Sequence, residues 1–588
     1  MASPSRWTLR LDGAHVPEKA LIGGKARSIA RLMALGLRVP PAFVVTTHAH
    51  AAYLSKGDFP DGLVDELISG VAWLEASTAR SFGGRVSPLL VSVRSGAAIS
   101  MPGMMDTILN VGITDDTEVA LAEESGDPDF AHDTHCRFAQ LYGKVVLKAD
   151  LKALDCGSES SIWREEIRKA SGEELPEQAR DQLMGAVHAV FESWNARRAR
   201  RYREHQGIAH DLGTAVTVQA MVFGNLDDQS GTGVLFSRNP SSGERQPFGE
   251  YLGKAQGEDV VSGEFTPQPL SSMADVVPTA FDELIAASAT LEREEREVQD
   301  IEFTVERGRL YLLQARAAKL APRAAVKIAV DMATEGLIDK ETAICRVPSD
   351  RIRILMAPVI ADAVRGTAIE LTKGEGACPG VGIGVVVADS DEAERLGNQG
   401  IASVLARPTT SPHDVHGMIA ATAVITEEGG STSHAAVVSR ALGRPCVVGC
   451  GRGYLTDLIG QTVTVDGQTG QVFAGALDVV VPDERSDDML AQLAAWAQAL
   501  APLRILSPAE VADAKPLDLT KVEGAEDPQN IPRILAENNG IKGAAGGAIG
   551  SDEGVRAGID AGLEFIVAEP KLPSLLAAAQ AAIRARAP

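Results

Sequence analysis

The stretch GGSTSHAAVVSR, residues 429–440, sets one imidazole among small residues and ahead of an apolar run. Thr432 or Ser433 makes a good N-cap, and HAAVVSRAL carries helical periodicity closed by Gly443. The pattern predicts His434 at the first turn of a helix. Free backbone N–H groups and the positive end of the helix dipole favour an anion there. The same field disfavours protonation, so the imidazole stays neutral and nucleophilic. Gly429 and Gly430 carry no side chains, so a ligand or another backbone can come close. These are the requirements of a histidine that takes up a phosphoryl group and gives it away. On this stretch alone, a capped helix with an incidental histidine fits as well.

The elements that must position this histidine fall into several units. At 588 residues the chain exceeds what one core usually holds, and two to four domains are expected. PPAFVVTT (40–47) and LLVSVRSGA (89–97) read as strands. From about 114 to 205 the pattern turns helical and charge-rich, as an insertion. Strand patterns return in TAVTVQAMVFG (214–224) and GTGVLFSRNP (231–240). QDIEFTVERGRLYLLQAR (299–316) reads as a hairpin around ERGR. Alternation puts Asp300 and Glu302 on one face of its first strand, and Gln314 and Arg316 on one face of its second. We therefore divide the chain into 1–320, a helical linker at 321–372, a mixed unit at 373–483 around His434, and an Ala-rich remainder at 484–588. That remainder opens as a helix, DMLAQLAAWAQAL, and holds two strand-like pieces, LRIL and LEFIVAEP. The fold class expected is α/β and α+β, multidomain.

Bulk properties exclude other classes. The chain is 45% hydrophobic and 23% charged, as a soluble globular protein would be. MASPSRWTLRLDG has no apolar core of a secretory signal, and no apolar run reaches the roughly 18 residues a membrane span needs. A cytoplasmic enzyme is expected. A net charge of −23 argues against nucleic-acid or membrane partners, while allowing a local basic pocket. The cysteines are scattered without a CxxC pair, so reduced thiols are expected rather than disulfides or structural zinc. His132/His135 and His413/His416 have metal-ligand spacing but no further ligand close by in sequence, and are not expected to hold a metal.

Other segments bear on what meets His434. GGSTSHAAVVSRALGRPCVVGCG resembles the phosphohistidine signature of phosphoenolpyruvate-utilising enzymes. LIGGKARSIARLMALGLRVPPAFVVTT (21–47), SVRSGAAISMPGMMDTILNVGI (92–113), AVFESWNARRARRYR (189–203) and AQGEDVVSGEFTPQPL (255–270) extend the resemblance, in order, to the pyruvate phosphate dikinase family. It spans roughly residues 20 to 480. The resemblance implies an ATP-grasp nucleotide domain and a swivelling phosphohistidine domain, with ATP and Mg2+ as cofactors and inorganic phosphate and AMP as further ligands. Lys25, Arg94 and Arg137 match residues on the nucleotide phosphates, a task suited to a point charge and forked guanidiniums. Asp300 and Glu302 match metal–phosphate ligands, and Gln314 and Arg316 line the same site. Gln219 flanks the nucleotide, and DDQSGTGVLFSRNP supplies a glycine-rich phosphate loop with Arg238 as an added cation.

Two departures stand out. The family carries a phosphoenolpyruvate/pyruvate barrel of about 250 residues, which residues 484–588 cannot hold, and no cysteine lies beyond Cys450 to act as its acid/base. In LARPTTSPHD (405–414), Pro408 and Thr409 stand where a charged residue is expected, and His413 stands for an acid. Three functions follow: one component of a split dikinase with a separate barrel subunit, a dikinase-like enzyme for an alcohol or phenol, or a non-catalytic nucleotide-binding module.

Overall fold

The computed structural model describes residues 6–586 except 100, 102–103, 206, 263–265, 357–358, 443, 481–486, 512–514, 526–527 and 539. Gly443, expected to close the helix after His434, lies outside the described residues.

The first apolar runs form strands Thr8–Leu11 (β1), Ala42–Val45 (β2), Val91–Gly96 (β3), Thr107–Val111 (β4) and Ala215–Ala220 (β5). They make an antiparallel sheet in the order β1-β2-β5-β3-β4, with β2 and β5 wholly buried. Helix Lys19–Ala34 (α1) packs on it. The 114–205 segment contributes helices Asp115–Ser125 (α2), Pro128–Val145 (α3), Ser160–Ser171 (α4), Ala179–Ser193 (α5) and Arg197–His205 (α6). It forms no separate lobe: Phe138, Tyr142, Trp163 and Phe191 share one core with Phe43, Val93 and Val218 of the sheet. Burying one apolar stripe of each helix against a sheet face is what makes the arrangement stable.

A second antiparallel sheet follows from Gly231–Phe236 (β6), Phe248–Gly253 (β7), Gln268–Pro269 (β8), Gln299–Glu306 (β9) and Arg309–Ala317 (β10), in the order β8-β7-β6-β9-β10. The β9–β10 hairpin turns through Arg307 and Gly308, both at positive φ (49° and 73°), as a two-residue turn between right-twisted strands requires.

The unit around His434 is an eight-stranded sheet built from Glu370–Lys373 (β11), Glu375–Cys378 (β12), Val381–Val387 (β13), Ser403–Arg407 (β14), Ala423–Thr426 (β15), Cys446–Val448 (β16), Thr462–Asp466 (β17) and Gln471–Ala474 (β18). Its order is β11-β18-β17-β13-β14-β15-β16-β12, with β13 to β16 parallel and the flanks antiparallel. The chain enters and leaves this unit through Val359–Ile360 and Val479–Val480, which pair as a two-stranded antiparallel ribbon.

Two expectations are corrected. Residues 321–372 do not act throughout as a separate linker. Helices Pro322–Thr334, Lys340–Arg346 and Ser349–Leu355 share one core with the tail: Val326, Ile328 and Ile344 pack with Leu493, Ile505, Ile566 and Leu576. Their apolar faces need a partner, and the Ala-rich tail supplies it. The tail itself is a parallel sheet of Arg504–Leu506 (β19), Leu517–Asp518 (β20), Gly543–Ala545 (β21) and Phe565–Val567 (β22), ordered β19-β22-β21-β20. LRIL and LEFIVAEP are thus neighbouring strands, and the two short strands beside them carry no alternation that sequence could show. Cysteine pairing is the second correction. Cys136 on α3 and Cys156 in the loop before α4 form a disulfide with a Cα–Cα distance of 5.5 Å, because that loop folds back along the helix.

Candidate functional site

Two glycines bring the first cation into place. Gly23 interrupts α1 at φ +75°, and a Cβ there would lie 2.1 Å from the Gly96 carbonyl oxygen. Only glycine lets α1 touch the end of β3 this closely, and the Gly24 N–H then donates to the Ala97 carbonyl at 2.9 Å. Lys25 is thereby held beside Arg94 on β3. Arg94 reaches across from the first sheet to the second, where its Nη2 donates to Glu302 Oε2 at 3.0 Å. On β9 and β10 the register sets Glu302 opposite Gln314 and Asp300 opposite Arg316, and Arg316 Nε donates to Asp300 at 2.8 Å. The hairpin alternation therefore puts two carboxylates, an amide and a guanidinium on one sheet face, with Lys25 and Arg94 above them.

Electrostatics follow from this crowding. Burial first, then the Arg94 charge, lowers the Lys25 ammonium to about 7. Burial raises Glu302, but Arg94, Arg316 and Lys25 together outweigh it and hold the carboxyl below its ordinary range. Asp300 raises the Arg316 guanidinium further. The Gln314 Oε1 atom is buried and has no hydrogen-bond partner among the described residues. If, as expected from the sequence, nucleotide phosphates meet Lys25, whose ammonium titrates near 7, binding above pH 7 takes up a proton. Nucleotide affinity then falls as pH climbs past 7 towards the ordinary lysine range, by up to about tenfold per pH unit, and is flat with respect to this group below 7. Calorimetry in two buffers of different ionisation enthalpy measures the proton uptake, and Lys25→Met abolishes it.

His434 is the first residue of helix His434–Leu442 (α7), which follows β15 in the crossover to β16. Ser433 is its cap, accepting from the Ala436 N–H at 3.5 Å. The His434 Nδ1 lies 3.1 Å from the Thr410 hydroxyl, whereas Nε2 is buried and has no hydrogen-bond partner among the described residues. Burial lowers the imidazole to about 4 against the opposing pull of Asp414, so it is neutral throughout the physiological range. Asp414 is itself held low, despite burial, by the Ser411 backbone, Ser390 and Arg407.

The loop before His434 docks on the second sheet. Glu250 on β7 accepts from the Ser431 hydroxyl at 3.4 Å and from the Thr432 hydroxyl. A Cβ on Gly430 would come within 2.5 Å of Glu250 Oε1, so the missing side chain is what allows the approach. Glu250 stands opposite Val234, and Val234 opposite Glu302. Cross-strand partners share a face, so the histidine loop meets the carboxylate face two strands, about 10 Å, from Glu302. The contact continues in a shared apolar patch in which Ala97, Met101, Met104 and Trp194 pack with Val415, Met418 and Ala435. Beside it, His413 and His416 line a crevice of about 640 Å³ with Arg197, Arg201, Asp391 and Glu394.

Other expected residues are engaged differently. Arg238 does not offer a cation to phosphates. Its side chain is 0% exposed and its fork is held by Glu292 (2.8 and 3.0 Å) and Glu335 (2.8 and 3.1 Å). It ties the helix Pro278–Glu295 to the helix Pro322–Thr334, whose C-cap is Glu335. Arg238→Ala strands two carboxylates and is expected to cost about 3–5 kcal/mol in chemical denaturation, with the nucleotide affinity of the folded fraction unchanged. Arg137 bonds Asp133 at 2.8 Å and Asp259 at 2.7 Å. Gln219 is buried in β5 and donates to the Pro40 carbonyl at 3.2 Å. Glu250 and Thr410 are the residues that sequence reasoning missed. Each lies far from His434 along the chain, and only the docked loop and the turn after β14 bring them to it.

Residues 54–278 match the family described as pyruvate phosphate dikinase, AMP/ATP-binding domain, and residues 401–470 match the PEP-utilising enzyme, mobile domain. Pyruvate, phosphate dikinase of Rhizobium meliloti (strain 1021) is 41% identical over 542 residues, 84% of this chain and 60% of the relative. The enzyme of Clostridium symbiosum is 37% identical over 573 residues, 91% of this chain and 64% of its own length. Pyruvate, phosphate dikinase 1, chloroplastic, of Arabidopsis thaliana is 40% identical over 527 residues, 84% and 54%. The chain thus spans between half and two thirds of each of these relatives. No helix among the described residues is long and apolar enough to cross a membrane. With both models matched in one order, the chain carries the AMP/ATP-binding domain of the pyruvate phosphate dikinase family and the mobile domain of PEP-utilising enzymes.

Proposed function

We propose that this chain carries out the nucleotide half of a pyruvate phosphate dikinase cycle, forming a phosphohistidine on His434 from ATP and inorganic phosphate. The observation that carries this reading is the neutral His434 with its free Nε2, whose loop docks on the sheet face that carries Glu302 and Gln314, with Lys25 and Arg94 above that face.

Lys25, Arg94 and Arg316 hold the triphosphate and stabilise the charge that develops on its oxygens. The donor set fits Mg2+: Asp300 and Glu302 offer hard oxygens, and the buried, unpaired Gln314 Oε1 is an acceptor with nothing to accept. Bound there, the ion would neutralise phosphate charge. Thr410 orients the ring through Nδ1, leaving Nε2 as the nucleophile. A bond forms from Nε2 to the β-phosphorus as the bridging bond to the α-phosphate breaks, and AMP leaves with that electron pair. Inorganic phosphate then takes the γ-phosphoryl as pyrophosphate, and the β-phosphoryl stays on His434. The ribbon Val359–Ile360/Val479–Val480 serves as the hinge on which the domain swings to an acceptor. Pyruvate is that acceptor, as the names of the relatives indicate, on a barrel supplied by residues other than these 588.

Incubation with ATP labelled on the β-phosphorus, with and without inorganic phosphate, tests this. Acid-labile, base-stable label on the protein, with pyrophosphate released only when phosphate is present, is the expected result. No label under any condition would leave a nucleotide-binding module. Phosphoenolpyruvate formed from pyruvate by this chain alone would place the acceptor site within it.

A further inference from the structure

Far from His434 in sequence, α2 and α3 pack together so that two pairs of side chains converge, each pair spaced i, i+3 on its own helix. Asp115 and Glu118 come from α2, His132 and His135 from α3. His132 Nδ1 lies 2.7 Å from one Glu118 oxygen and His135 Nδ1 lies 2.5 Å from the other. The ligand atoms of Asp115, Glu118 and His135 all fall within 4.8 Å of one another. His135 is 1% exposed, Glu118 and His132 are half-buried, and Asp115 faces solvent, where its carboxylate also meets Arg164 and Ser160 at 3.2 Å.

The surroundings are built. The Ser158 carbonyl, 3.0 Å from His132 Nε2, can only accept, so Nε2 carries a hydrogen and the ring is held with Nδ1 facing the Glu118 carboxylate. A cation belongs in that contact, either a proton on Nδ1 or a metal ion in its place. Ser158 is fixed because the Cys136–Cys156 disulfide pins its loop to α3, one residue from His135. The buried Trp163 packs against both imidazoles, at 4.7 Å from the His132 ring and 5.7 Å from the His135 ring, and its Nε1 is anchored on the Asp155 carbonyl at 2.9 Å. A carbonyl on the distal nitrogen of a ligating histidine and an apolar wall around the centre are what a metal site uses to orient its ligands.

We propose that Asp115, Glu118 and His135, with His132 as fourth ligand, form a structural site for a divalent transition ion of the zinc class. Two imidazoles and two carboxylates suit such an ion by type, and ligands on a tetrahedral ion with bonds of about 2.0–2.2 Å stand about 3.3 Å apart. The Glu118 contacts at 2.5–2.7 Å open by under ~1 Å, Asp115 closes on His135 from 4.0 Å, and the His132 ring, outside the group of mutually close ligand atoms, swings in. The ion would clamp α2 to α3 beside the disulfide. This site is independent of the reading of His434.

The test uses the full chain, stripped with a chelator and titrated with Zn2+, and separately with Co2+. One equivalent taken up per chain, a rise in thermal midpoint, tetrahedral cobalt absorption and quenching of Trp163 fluorescence by Co2+ are expected. His132→Phe and Glu118→Gln should each weaken uptake at least about 100-fold, while His416→Ala, at the other His-x-x-His pair, leaves it unchanged. The absence of stoichiometric uptake by the wild-type chain overturns the proposal, whatever the variants do. So does uptake that survives Glu118→Gln, and so does cobalt that leaves Trp163 unquenched. The cation between His132 and Glu118 would then be a proton.

Discussion

A His434→Ala chain incubated with β-labelled ATP and inorganic phosphate takes up no label, while its nucleotide affinity stays that of the parent. The loss is complete because the proposed cycle has His434 as its nucleophile. Nε2 is the ring atom left free by the Thr410 contact, and burial keeps it unprotonated, with the imidazole titrating near 4. Nucleotide affinity is expected to be retained because the residues proposed to hold the triphosphate, Lys25, Arg94 and Arg316, and those proposed to hold its metal, Asp300 and Glu302, are held by α1, β3 and the β9–β10 hairpin, none of which depends on the imidazole. The α7 helix keeps its cap on Ser433. Autoradiography after gel separation, beside an equilibrium nucleotide titration, reads both. Label persisting in the variant would move the phosphoryl acceptor to another residue. Burial also gives the parent a pH signature. A histidine whose folded value is lowered contributes stability that is present above about 6.5 and is lost as pH falls towards 4; in the folded chain the ring is still neutral at pH 5, so the labelling rate of folded protein owes no decline to His434 between neutral pH and pH 5.

Replacing Arg94 by methionine is expected to slow phosphohistidine formation by about 10²–10³-fold, the usual cost of one preorganised donor to developing phosphate charge. The stem is preserved, so the loss is that of the fork. Two secondary shifts identify its place in the cluster. Arg94 is the leading charge holding Glu302 low, so without it burial raises that carboxyl. Arg94 is also the leading charge depressing Lys25, so the pH at which nucleotide affinity begins to fall moves up from about 7. Single-turnover labelling across pH measures the rate and the break together. A uniform slowing with the break unmoved would mean that Arg94 acts apart from Lys25.

Much of this protein was readable from local chemistry. The β9–β10 hairpin with its ERGR turn, the pairing of Asp300 with Glu302 and of Gln314 with Arg316 by strand alternation, and the capped helix beginning at His434 are all decided within a few residues of chain. Alternation, turn torsions and capping are short-range constraints that a sequence states directly.

What only the tertiary structure decided is partnership across long separations. GGKA shows a lysine and two glycines, but the Gly96 carbonyl packed where a Gly23 Cβ would sit is visible only when α1 lies on β3. Arg238 reads as a cation beside a glycine loop, and folding gives it to Glu292 and Glu335 instead. Glu250 and Thr410 gain their roles because a docked loop and a turn arrive from elsewhere. The Ala-rich tail and the 321–356 helices look unrelated in sequence and share a core. His132 and His135 lacked a nearby third ligand along the chain until α2 brought Glu118 and Asp115 to them. Sequence carries the period and the type of each side chain. Which charge meets which is set by the packing of elements dozens to hundreds of residues apart, where burial, and not local propensity, chooses the neighbour.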